Sequence, residues 1–160
     1  MKNILLPAVT LLTSSVAFAM PSVGDQALYD ATLSKAGAVT AATAELELVS
    51  LDAANQQFQE KTTIVANGAT QSNTKTVEAS SLASDEIVTQ VLATCSEIGG
   101  HLETITVPAG TFDTCALPSD ASTPGTYWVS HVSFGVVKQD FTNSSGVHIV
   151  MVLRSFRKGH

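Results

Sequence analysis

Charge is scarce in this 160-residue chain, at 14% Asp, Glu, Lys and Arg, and its balance is acidic, at -6. Aromatic residues are scarcer still, at 6% with a single Trp, and there are only two cysteines. Acidity removes the electrostatic footprint of a nucleic-acid binder. Few charges combined with 44% hydrophobic residues exclude a disordered chain, and no sustained heptad pattern supports a coiled coil. The sequence also lacks a Gly-rich phosphate loop, a dinucleotide fingerprint and a Gly-x-Ser-x-Gly nucleophile turn. What fills the composition is Thr, Ser, Ala and Val, which suits strands better than helices. A chain this short is most simply one domain.

The first residues read as an address. Lys2 supplies a short positive start, and an apolar stretch runs from Ile4 to Ala19. It ends in Ala17-Phe18-Ala19, small residues at the two positions a signal peptidase reads, so cleavage is expected before Met20. Pro7, Thr10, Thr13, Ser14 and Ser15 interrupt the stretch, which falls short of the roughly 20 apolar residues of a membrane span. No Cys lies near the cleavage point to carry a bacterial lipid anchor. The expectation is a signal peptide over 1–19 and one exported domain over 20–160, in the periplasm or secreted. Loss of Lys2 takes the net charge from -6 to -7. An oxidising compartment then predicts a disulfide between Cys95 and Cys115, the only possible pair. Their spacing is unlike the Cys-x-x-Cys of a redox pair.

Alternation dominates the mature chain. Strands are expected over Gln26–Ser34, Val39–Leu51 and Phe58–Ala66, and a polar return strand over Gln71–Ala79. Ala42, Ala44, Leu46 and Leu48 share one face of the second, with Thr43, Glu45 and Glu47 on the other. Asn67-Gly68 is a hairpin signal, because both residues tolerate positive φ. The period then becomes helical through Ile87, Val91, Cys95 and Ile98, widened by Val88 and Leu92. Ser84 as N-cap, Asp85 and Glu86 in the first turn and Gly99-Gly100 as a stop bound a helix over about 84–98. Further strands follow over His101–Val107, Phe112–Leu117, Thr126–Phe134 and Val136–Phe141. A last one, Val147–Arg157, reads as buried on both faces. The fold class is mostly β (α+β): an antiparallel sheet of eight or nine strands with one inserted helix. Thr- and Glu-rich strands lack the outward apolar band of a membrane barrel.

No constellation points to catalysis, a metal or a cofactor. His101 and Glu103 share a strand face but have no third ligand in pattern, and His131, His148 and His160 are scattered. Glu45 and Glu47 read as the wet side of a strand. A non-enzyme is expected, and a hydrolase with a scattered His/Ser/Asp site stands as an alternative.

The segment with most information is Glu103-Thr-Ile-Thr-Val-Pro-Ala-Gly-Thr-Phe112-Asp113. Pro108 fixes φ for a turn and Gly110 relieves its exit. A four-residue loop over 108–111 sets Val107 opposite Phe112 and Ile105 opposite Thr114, with Cys115 on the other face, toward the helix. This run, with Tyr127-Trp128-Val129-Ser130 and Gly135-Val136-Val137-Lys138 after it, resembles a hallmark of bacterial exported proteins grouped as a domain of unknown function. The resemblance covers roughly 101–140 and departs at His131–Phe134, where that family often has a Pro-Gly turn. It implies a curved sheet or half-barrel, similar in outline to periplasmic lipoprotein carriers, and no catalytic residues. The expected function is therefore non-enzymatic binding of a lipid, another apolar ligand or an envelope protein. Val107, Phe112, Trp128, Phe134 and Met151 are the candidate lining residues. The alternative is an assembly factor that pairs with a partner through a sheet edge.

Overall fold

The computed structural model describes residues 20–119 and 123–159, so the leader over 1–19 and His160 lie outside the described residues. Nine strands form one antiparallel sheet: β1 (Gln26–Lys35), β2 (Ala38–Asp52), β3 (Gln57–Ala66), β4 (Ala69–Glu78), β5 (His101–Val107), β6 (Gly110–Pro118), β7 (Gly125–Val129), β8 (Val136–Thr142) and β9 (His148–Arg157). The order across the sheet is β4-β3-β2-β1-β9-β8-β7-β6-β5. Two meanders, β1–β4 and β5–β9, thus meet where β1 pairs with β9. The sheet is open and curved, and the expected mostly-β class with one inserted helix holds.

Topology explains how one face is covered. β4 and β5 are the opposite edges of the sheet yet adjacent in sequence, so the connection between them must cross a face. It does so as a short 3-10 turn (Ala79–Ser81) followed by helix α1 (Asp85–Ala93). Leu82 packs on Leu48 and Phe58, which lie on adjacent strands. Val88 is the buried residue of α1. Cys95 and Cys115 are joined in a disulfide that ties the end of the crossing to β6. Gly100 sits so close to this bond that an added Cβ would lie 2.8 Å from the Cys115 sulfur.

The helix begins as expected, with the Ser84 hydroxyl accepting from the Ile87 amide at 3.2 Å. It ends earlier, at Ala93 rather than near 98. The Thr94 hydroxyl donates to the Gln90 carbonyl, and the chain then turns until Gly99 takes φ +86°. Ile87 and Ile98, expected on the apolar stripe, are exposed, whereas Val88 and Cys95 are buried. At Asn67-Gly68 both residues have positive φ and join β3 to β4 in unbroken register, as the sequence predicts.

Three other expectations need correction. The β5–β6 loop is two residues, Pro108 and Ala109, so Ile105 faces Phe112 and Val107 faces Gly110. The shift is by two, so every side chain keeps its face and Cys115 still points away from Phe112. β7 does not run to Phe134 but stops at Val129. A bulge after Trp128 breaks its register with β8, and Phe134 and Gly135 both have positive φ, which no strand accommodates. β9 is half-buried along Ile149–Val152 rather than buried on both faces, and only Leu153 is fully enclosed.

The main core joins Ala27, Tyr29, Val107, Val132, Val137 and Leu153. It depends on curvature. β5 and β9 are separated by three strands in sheet order, yet the Ala109 amide donates to the Leu153 carbonyl at 3.1 Å. The β5–β6 hairpin therefore bends back over the sheet, and its tip closes on β9.

Candidate functional site

Under the crossing segment lies a cleft of about 350 Å³. Sheet residues Tyr29, Leu46, Glu60, Val136, Gln139 and Met151 line it, and Ser81, Leu82, Ala83 and Phe134 stand over them. The strand registers explain why these side chains share a face. Leu46 is opposite Ala27, one step from the Tyr29–Ala44 pair, and Met151 is opposite both Ala31 and Gln139. Its volume falls within the range of ligand pockets, about 300–1,000 Å³, and its surface is divided almost evenly between polar and apolar atoms.

The polar groups have defined partners. Glu60 is buried, and its carboxylate is 2.9 Å from the Lys75 ammonium on neighbouring β4. The Tyr29 hydroxyl donates to the Val136 carbonyl at 2.9 Å. Burial pushes its phenol well above the ordinary tyrosine range, so it is held neutral. No bond to the Gln139 side chain occupies its amide among the described residues.

Phe134 is the residue on which the site turns. It packs against both hydrophobic clusters, and its backbone sits at φ +64°. A bulky residue in that region is strained and persists only where its surroundings hold it. Phe134 and Ala83 also border a second hollow of about 140 Å³, lined by Pro21, Asp25, Asp85, Ser133 and Lys158 among others. There the Lys158 ammonium is 2.7 and 2.9 Å from the two Asp85 oxygens, His131 Nδ1 is 3.6 Å from Asp85, and the Gly159 amide donates to Asp25 at 2.7 Å. Burial raises the Asp85 carboxyl, but hydrogen bonding and charge from Lys158, then His131, outweigh it and hold the carboxyl below its ordinary range.

The five candidate lining residues do not form one surface. Phe134 and Met151 meet at the cleft. Val107 is buried in the core, and Phe112 packs beside it with its ring edge-on to Phe156, centroids 6.2 Å apart. Trp128 does not line the cleft. Its indole donates to Glu103 at 2.6 Å, and the Lys138 ammonium sits 4.3 Å over its ring. Tyr29, Leu46 and Gln139 join the site from strands whose alternation was visible. Ser81 and Leu82 come from the stretch just before α1, which has no periodic signal.

The three described histidines face carboxylates: His101 to Glu103 at 3.3 Å, His131 to Asp85 at 3.6 Å and His148 to Asp140 at 2.7 Å. Among the described residues none is hydrogen-bonded to a serine, and no group of three His, Cys, Asp or Glu side chains could hold a metal ion. Among the same residues, no helix is long and apolar enough to cross a membrane.

The fold is shared. A Bacteroides fragilis protein inferred to be exported, with a YmcC-like fold, matches 88% of this chain and 99% of its own at 11% identity and a TM-score of 0.51. An inferred lipoprotein from Parabacteroides distasonis matches 90% of this chain and all of its own at 12% identity and a TM-score of 0.48. Pseudomonas aeruginosa MucB, in its complex with MucA, matches 86% of this chain at 13% identity and a TM-score of 0.47, and the chain spans about half (52%) of the matched structure. No protein-family model and no curated protein matches the sequence. The resemblance to exported proteins therefore rests on the residues of the 101–140 segment themselves.

Proposed function

We propose that this is a non-enzymatic protein of the bacterial envelope, exported by a leader removed after Ala19, that holds an amphipathic ligand in the cleft under Leu82 and Phe134. The observation that carries the reading is the cleft's make-up: Leu46, Val136 and Met151 offer an apolar bed, while Glu60, Ser81 and Gln139 offer polar anchors at its margin. An acyl chain suits the bed, since each buried CH₂ is worth about 0.8 kcal/mol. A head group with hydrogen-bond donors suits the carboxylate and amide. Export is supported by the leader pattern and by the disulfide, which persists in oxidising compartments.

The test is titration of the mature chain with an environment-sensitive fluorescent fatty acid. The cleft reading predicts saturable binding that Leu46→Trp, which fills the bed, abolishes with the fold retained by circular dichroism. Binding unchanged in that variant, or none in the parent, contradicts it.

A further inference from the structure

Strand β4 forms one edge of the sheet over ten residues, and all but Val77 are exposed. It buries almost nothing on either face and lacks two of the usual protections of an edge strand, a proline and a bulge. Its register with β3 runs unbroken from Gln57–Glu78 to Ala66–Ala69. Its two charges are engaged inward by β3: Lys75 pairs with Glu60 at 2.9 Å, and Glu78 accepts from the Gln57 amide at 2.7 Å. The β3–β4 hairpin carries Glu60, Lys61, Lys75 and Glu78, so it is locally neutral in a chain of net charge -6. This neutral strip is where two like-charged copies can approach without repulsion.

We infer that β4 is a homodimer edge, along which a second copy of this chain adds its own β4 antiparallel about a two-fold axis through Asn73. Opposed residues must share a face for the sheet to continue, which requires both numbers odd or both even. With Asn73 facing its own counterpart, Ser72 meets Thr74, Gln71 meets Lys75, Thr70 meets Thr76 and Ala69 meets Val77. These are hydroxyl, amide and small apolar pairs with no like charges opposed, the kind that stabilises cross-strand contact. A slide that set Lys75 against its counterpart would oppose two cations. The interface is isologous, as closed dimers require.

Sedimentation of the mature chain in a dilution series tests the inference, with mass doubling reversibly as concentration rises. Joint Ser72→Lys and Thr74→Lys substitution sets lysines against lysines across the axis. It abolishes the dimer while circular dichroism shows the sheet intact. Asn73→Cys gives a disulfide-linked dimer under mild oxidation, whereas Thr70→Cys, which faces Thr76, does not. A chain monomeric at every concentration, a dimer surviving the lysine pair, or equal cross-linking at 70 and 73 overturns it. So does a monomer whose β4 amides gain exchange protection only on adding a different extended polypeptide.

Discussion

The amide of Ala109 donates to the carbonyl of Leu153 although three strands lie between β5 and β9 in the sheet. That bond marks where curvature turns an open sheet into an enclosure, with Val107, Val137 and Leu153 packed inside it. Val107→Ala should remove about 2 kcal/mol, the value of a buried valine side chain. Urea denaturation checks this: the midpoint falls while the slope is unchanged. An unchanged midpoint would mean the hairpin tip is not part of the core.

The Cys95–Cys115 bond ties the crossing segment to β6. Replacing both with serine should lower stability by roughly 3 kcal/mol, the chain-entropy value for a loop of this length. The check is chemical denaturation of parent and variant, and mass spectrometry after alkylation without reductant should find no free thiol in the parent.

Acid sensitivity should reside partly in the Asp85–Lys158 contact. The folded Asp85 carboxyl is held below its ordinary range, so it binds protons less readily folded than unfolded. Its contribution is complete above the unfolded pKa, roughly 4, and is lost as pH falls through the lower folded value. Lys158→Met removes the main cause. Melting temperature plotted against pH should then fall less steeply below about pH 4 than in the parent. Identical slopes would show that the pair carries no linked stability.

Phe134 separates backbone strain from packing. Phe134→Ala and Phe134→Gly lose the same ring, but only glycine accepts φ +64° without cost. The glycine variant should be the more stable by about 1 kcal/mol. An alanine variant of equal or greater stability, in parallel denaturation curves, would mean the segment relaxes to an ordinary conformation once the ring is gone.

What the sequence discloses follows from how local each signal is. Alternation in Val39–Leu51 and the Asn67-Gly68 turn specify their strands from neighbours alone, and both are found. The Ser84 cap is equally local. Phe134 is not: alternation assigns it to a strand, while a bulge two strands from the edge and contacts with two separate clusters place it in a strained turn. The site suffers in the same way. Met151 and Phe134 are visible as large apolar residues, but Leu82 and Ser81 belong to it only because the chain crosses from one sheet edge to the other. Trp128 has the composition of a lining residue, yet bonds Glu103 and carries Lys138 over its ring, away from the cleft.

The central claim is that the cleft beneath Leu82 and Phe134 holds a ligand with an apolar chain. Native mass spectrometry of the protein expressed in a bacterial host and purified without detergent tests it most directly. The account predicts a bound species of lipid mass that dissociates on activation and is missing from Leu46→Trp. A parent protein that flies only at its bare polypeptide mass, under conditions where a control lipid-binding protein keeps its ligand, would contradict it.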